Sequence, residues 1–131
     1  MKLEDVGEVI RLGVPVRTVK QAARAVGTGE DKIVKTLVVY CKGEYHAYVI
    51  RGNKKLELET LGCRLATAEE VLRTTGYAVG GVPPVLNIPV YIDKDLLTED
   101  YVYGGGGDEY TLLKFKPSVL VERGLAKVVE F

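Results

Sequence analysis

The sequence predicts an α/β (α+β) fold, a single domain over residues 1–131 with a mixed sheet flanked by helices. Three observations predict it. Two segments open with helix-capping signatures, Thr18-Val-Lys-Gln21 and Thr67-Ala-Glu-Glu70. A β-branched run, Ile33–Cys41, is joined by the turn Lys42-Gly43-Glu44 to a second strand-like run, Tyr45–Arg51. Strand and helix patterns then intermix along the chain with no repeat, linker or low-complexity tract, and 131 residues suffice for one core.

In chain order, Glu4–Leu12 reads as a short helix. Thr18 caps the Ala-rich helix Val19–Val26, which stops at Gly27. The hairpin Ile33–Cys41 and Tyr45–Arg51 follows. Gly52-Asn53 breaks the chain, and Lys55–Leu61 reads as a helical turn or short helix. Cys63–Ala66 is a short strand, and the helix opened by Thr67 ends at Gly76. Strands are expected at Pro89–Ile92, Tyr101–Tyr103, Tyr110–Phe115 and Ala126–Glu130. A helical turn is expected at Asp93–Leu97, and a helix with Pro at its start at Pro117–Arg123.

Composition excludes several classes of function. With 18 basic and 18 acidic residues the net charge is zero, which argues against a non-specific nucleic-acid or DNA binder but not against a grip on an RNA end. No apolar run approaches the ~20 residues of a membrane span. The N-terminus MKLEDVGEVIRLG lacks the uninterrupted apolar core of a signal peptide, so a cytoplasmic location is expected. One histidine and two cysteines offer no zinc-ligand set, and Cys41 and Cys63 read as buried free thiols. No metal and no cofactor is expected.

The residue that stands out is Lys35. Alternation puts Ile33, Lys35, Leu37, Val39 and Cys41 on one, mostly apolar, face. An ammonium there either lays its stem on the core and its head in water, or stands beside a pocket ready for a phosphate, carboxylate or oxyanion. Thr36 points to the opposite face. The loop Gly80-Gly81-Val82-Pro83-Pro84 joins a free backbone to a stiff one. It is a tight turn or a loop that aims N–H groups at a ligand oxygen. Gly104–Gly107 is not GxGxxG before a helix, so no dinucleotide fold is supported; it is a hairpin loop or a pocket wall. Arg51, with Lys54 and Lys55, is solvated surface or a phosphate contact. His46 has no visible triad and reads as a packed or surface histidine.

Taken in order, these segments resemble the YbaK / prolyl-tRNA synthetase associated domain family of aminoacyl-tRNA editing domains. The matching pieces are TVKQAARAVG (18–27), KIVKTLVV (32–39), RLATAEEV (64–71), TGYAVGGVPP (75–84), VYIDKDLL (90–97) and VYGGGG (102–107). The resemblance implies a mostly antiparallel sheet curled around a pocket. It implies a free-standing editing factor that hydrolyses the ester of a mischarged tRNA, usually tRNA for proline carrying alanine or cysteine. Lys35 would be the functional lysine, with Gly80 and Gly81 bracketing the ester. Thr36, Val82, Pro83, Pro84, Gly104, Gly105, Gly106 and Arg51 would contact substrate. The partners implied are the tRNA acceptor end and prolyl-tRNA synthetase. Some family members carry a histidine just after the glycine run; here Asp108-Glu109-Tyr110 follows. Two other readings stand beside this one: a non-catalytic module that binds aminoacyl-tRNA or an amino acid, and a thiol hydrolase built on Cys41 or Cys63.

Overall fold

The computed structural model describes residues 1–131. Eight strands and three helices follow one another with short 3-10 turns between them. They are β1 (Gly7–Arg11), α1 (Val19–Val26), β2 (Val34–Cys41), β3 (Glu44–Arg51), β4 (Cys63–Leu65), α2 (Ala68–Thr75), β5 (Val90–Asp93), β6 (Val102–Gly105), β7 (Thr111–Phe115), α3 (Pro117–Glu122) and β8 (Lys127–Val129). They form two sheets. One is three-stranded and antiparallel, in the order β1-β7-β6; the other is mixed, in the order β4-β2-β3-β5-β8. No helix is long and apolar enough to cross a membrane.

The hairpin β2–β3 is the frame. Its register runs from Cys41↔Glu44 at the turn to Val34↔Arg51 at the open end. Val34 and Val38 on one face of β2 enter the main core with Val49, Ile92, Leu113 and Leu120. Val39 and Cys41 on the other face meet Tyr48, Ile50 and Cys63 in a smaller cluster. Burying both faces is what makes the central strands read as continuous apolar runs.

Both capping residues do what their sequence positions require. Thr18 Oγ1 accepts from the Gln21 N–H at 3.0 Å, and Gly27 closes α1 in the left-handed region at φ 69°. The Gln21 side chain accepts from Arg17 rather than from Thr18, so only half of the expected box forms there. At α2 the reciprocal box is complete: Thr67 takes the Glu70 N–H, and Glu70 takes the Thr67 N–H.

Four expectations are corrected. Glu4–Leu12 is not a helix; a 3-10 turn at Leu3–Asp5 leads into β1. Val9 packs against the main core and Ile10 against a second cluster, so a strand with two apolar faces imitated helical spacing. At Gly7 a Cβ would lie 2.2 Å from the Lys114 carbonyl oxygen, so this close pairing requires glycine. Lys55–Leu61 forms no helix; it is irregular and then turns at Leu58–Gly62, with Leu56 and Leu58 set on the smaller cluster. The glycine run is not all loop, because Gly104 and Gly105 pair with Leu113 and Leu112 inside β6–β7. Finally, Cys41 and Cys63 are not free thiols but one disulfide. They stand opposite each other in the β2–β4 register, a pairing across 22 residues that composition cannot show.

Candidate functional site

Strand β2 has neighbours on both edges except along a short interval. At one end Ile33 bridges Tyr103 of β6. At the other, β4 pairs with Val39–Cys41, and the Ala66 N–H donates to the Val38 carbonyl at 3.1 Å. Between these seams Lys35, Thr36 and Leu37 have β3 on one side and an open cavity of about 380 Å³ on the other. Backbone groups alternate in direction along a strand, and the Val38 carbonyl points to the β4 side. The N–H and C=O of Thr36 therefore point the same way, into the slot.

The cavity walls come from four directions. Val16, Arg17, Thr18, Val19 and Ala22 approach from α1 and its lead-in. Leu65, Ala66 and Val71 come from β4 and α2, and Val79, Gly80 and Val82 from the following loop. Tyr103, Gly104, Gly105 and Leu112 come from β6 and β7. The volume and the mostly apolar lining with a few polar groups suit a small-molecule site. No carboxylate lines it.

Lys35 lines the cavity and is half-buried. Its ammonium makes no hydrogen bond or ion pair within the chain. Other basic groups nearby do: Lys32 binds Glu99, Arg51 binds Glu99 and Asp95, and Lys54 binds Asp93. Burial, helped by the positive charge of Lys55, holds the Lys35 pKa below the ordinary lysine value. An unpaired, partly desolvated cation at an apolar cavity is placed to meet an anion or a developing negative charge.

The loop after α2 supplies the second polar element. Gly80 adopts φ 98°, a conformation suited to glycine. The Gly81 N–H donates to Ala78 at 3.1 Å and its carbonyl accepts from Gly107 at 2.8 Å, so both its groups are engaged. A Cβ on Gly81 would lie 2.7 Å from the Asp108 Cα, and one on Gly105 would lie 2.2 Å from the Val82 oxygen. These glycines let loop and strand touch. Gly80 and Val82 both line the cavity, and their N–H groups make no hydrogen bond within the chain. Pro83 and Pro84 lie fully buried behind the loop and fix its path.

Of the residues picked out in the sequence, the structure brings together Lys35, Thr36, Gly80, Val82, Gly104 and Gly105 around this cavity. Gly81, Gly106, Pro83 and Pro84 sit behind the wall. Arg51 is elsewhere: its guanidinium is held by the Asp31 and Asp95 carbonyls and by Glu99. The residues after the glycine run are also spent on structure. Asp108 accepts from the Thr111 hydroxyl and the Tyr110 N–H, which holds its carboxyl below the usual range, and Glu109 pairs with Arg17 at 3.0 Å. The apolar walls from α1, β4 and α2 escaped sequence reasoning. Only the meeting of distant elements reveals them.

Comparison with known proteins agrees with the fold. Residues 14–122 match the aminoacyl-tRNA editing domain family. The chain is 35% identical over 106 residues to a proline–tRNA ligase of Solidesulfovibrio magneticus and 30% identical over 129 residues to that of Shouchella clausii. These matches cover 73% and 82% of this chain but only 18% and 23% of the ligases, so the chain spans about a fifth of their length. Among solved structures, a hypothetical protein shares 46% identity at a TM-score of 0.86, covering 95% of this chain and 89% of the other. A provisionally assigned trans-editing enzyme for prolyl-tRNA synthetase shares 37% identity at 0.82, covering 95% and 85%. Fold, cavity and sequence together place this chain in the aminoacyl-tRNA editing domain family.

Proposed function

We propose that the protein is a trans-editing deacylase that hydrolyses the ester of a mischarged tRNA, with alanine or cysteine on tRNA for proline as substrate. The observation that carries this reading is that Lys35, whose ammonium is unpaired, lines the same apolar cavity as Gly80 and Val82, whose N–H groups are unbonded. An aminoacyl ester is already activated, so hydrolysis needs position, a water and stabilisation of the oxyanion rather than a strong protein nucleophile.

In this mechanism water adds to the ester carbonyl carbon. Negative charge develops on the carbonyl oxygen, where the Gly80 and Val82 N–H groups and Lys35 stabilise it. The intermediate collapses by expelling the ribose oxygen, which takes one of the water's protons; the other passes to solvent, and the amino acid leaves as its carboxylate. With no carboxylate in the cavity, the Thr36 carbonyl at the open strand edge accepts from the substrate's α-amino group. Gly104 and Gly105 present the terminal nucleotide with a wall of main-chain atoms. The walls from Leu65, Ala66, Val71 and Val79 favour a small apolar side chain and exclude proline by size, a second sieve. The tRNA partner meets the protein through its acceptor end, in the cytoplasm, with prolyl-tRNA synthetase as the enzyme whose errors are corrected.

The test is release of labelled amino acid from Ala-, Cys- and Pro-tRNA, all on tRNA for proline. Selective release of alanine or cysteine supports the reading and names the substrate. A folded protein that releases neither, with and without prolyl-tRNA synthetase, would replace it with the non-catalytic binding module.

A further inference from the structure

The smaller cluster, with Val39 and Cys41 of β2, gathers a second set of reactive groups, none of which lines the cavity. Cys41 and Cys63 face each other across β2–β4 with Cα atoms 4.2 Å apart and their sulfurs joined. Nε2 of His46 lies 3.2 Å from Cys41 Sγ, and the three ligand atoms fall within 4.8 Å of one another. The Tyr48 hydroxyl is 3.1 Å from the same nitrogen, and the rings of Tyr48 and Tyr91 meet the imidazole edge-on at 5.1 and 5.3 Å. Both cysteines are buried and His46 is half-buried. Neither cysteine lines the cavity.

Strand register, the Tyr48 hydroxyl and the two tyrosine rings hold the imidazole with its Nε2 beside the Cys41 sulfur. Two thiolates and an imidazole form a donor set for a soft cation. We propose that Cys41, Cys63 and His46 form a redox-gated site for a thiophilic cation, zinc(II) or copper(I), closed as the disulfide and open as the dithiol. Opening needs a dithiol reductant. It delivers two electrons and two protons; the Cys41–Cys63 bond breaks, each sulfur takes a proton, and the reductant's own sulfurs join. The cation then displaces both protons to solvent and takes the Nε2 lone pair. Around zinc the two sulfurs sit roughly 3.7 Å apart, given Zn–S bonds of about 2.3 Å. Side-chain rotation about neighbouring Cα atoms reaches that separation. Three donors suit copper(I); zinc adds a water, beside the Tyr48 hydroxyl.

The site bears on the cavity because β4 runs from Cys63 to Leu65, and Leu65 and Ala66 form part of its wall. The disulfide ties β4 to β2 in the oxidised chain, and the cation restores that tie in the reduced one.

The test uses the full chain, reduced with a phosphine and with two free thiols counted. Cobalt(II) is titrated as an optical probe for zinc, and copper(I) against a competing chelator. The expected result is one equivalent of either metal. Cobalt would show a thiolate charge-transfer band that zinc abolishes. The oxidised chain should bind none. Cys41→Ser and Cys63→Ser should lose the site, and His46→Gln, which keeps the disulfide and the fold, should weaken it at least about tenfold. Three results would each overturn the proposal: a folded, reduced chain that binds neither metal; binding unchanged in His46→Gln; or a disulfide that yields only when the protein unfolds. Deacylation plays no part in these readouts, so the outcome is separate from that of the proposed activity.

Discussion

At the scale of single residues, Lys35 and Gly105 make opposite predictions about stability. Burial and Lys55 disfavour the charged form of Lys35, so the folded protein carries a penalty at neutral pH that is relieved as pH rises through the lowered folded pKa. Lys35→Ala should therefore melt no lower than wild type at pH 7 while deacylation falls about 10²- to 10³-fold. Thermal melts and initial rates on the same preparation check both halves. Full activity in a folded Lys35→Ala protein would end the assignment. Gly105→Ala should do the reverse in stability. Its Cβ would sit 2.2 Å from the Val82 oxygen, so the loop bearing the proposed N–H donors must move. We expect a loss of about 1–3 kcal/mol together with reduced kcat, measured by denaturant titration and single-turnover assay. Lys35 was legible in the sequence because a charge in an apolar strand has few explanations. The choice of Val82 over Gly81 as donor was not, because it depends on the Gly81 N–H being taken by Ala78.

At the scale of elements, Glu70 joins three of them. It caps α2 through Thr67, pairs with Arg64 of β4 at 2.8 Å, and accepts from the Tyr45 hydroxyl of β3. Arg64 first, then Thr67 and Tyr45, hold its carboxyl well below the ordinary range. The folded pKa is depressed, so the stability it contributes is complete above the unfolded value of about 4.3 and is lost as pH falls through the folded one. Glu70→Gln should lower the melting temperature at pH 7 and flatten its dependence on pH below about 4. A melting series from pH 7 to pH 2 on both proteins decides this. Helices α1 and α2 were legible because their signals are local: a Thr, a Glu or Gln three residues on, and a closing Gly; α3 announced itself by Pro at its start. The strand β1 was not, because its two apolar faces belong to different clusters and its register depends on β7, about a hundred residues away. β4 itself was legible, as the short strand expected at Cys63–Ala66, but its partner was not. Its pairing with the far end of β2 sets the disulfide, which should contribute roughly 3 kcal/mol by closing a 22-residue separation. A Cys41→Ser/Cys63→Ser double variant, compared with the oxidised parent by urea titration, should show that loss.

For the whole molecule, charge sets the expectation. The chain is neutral overall, and Arg17 at the cavity is already paired with Glu109. Few phosphates can be neutralised, so the affinity for tRNA should fall only shallowly with salt. A minihelix carrying the acceptor stem should be deacylated with a KM within a few-fold of full-length tRNA. A steep salt slope, or a large preference for the full molecule, would point to a wider nucleic-acid surface than the cavity mouth. The class of fold and the order of its parts could be read from composition and turn chemistry. What escaped was closure, namely how two sheets meet at Ile33 and Tyr103 and so leave a cavity rather than a seam.

That incomplete closure also bears on how the protein avoids itself. An unpaired strand edge is a template on which another chain can add, and a slot exposing main-chain groups next to Leu37 would ordinarily invite this. Here the open interval is only three residues, Lys35 to Leu37, bounded by β6 and β4. Strands are most often about five to six residues long, and the flanks of one added here would strike both neighbours. The interval is thus too short and too closely flanked to take up a polypeptide, so the chain can leave a sheet edge open without becoming a seed for aggregation.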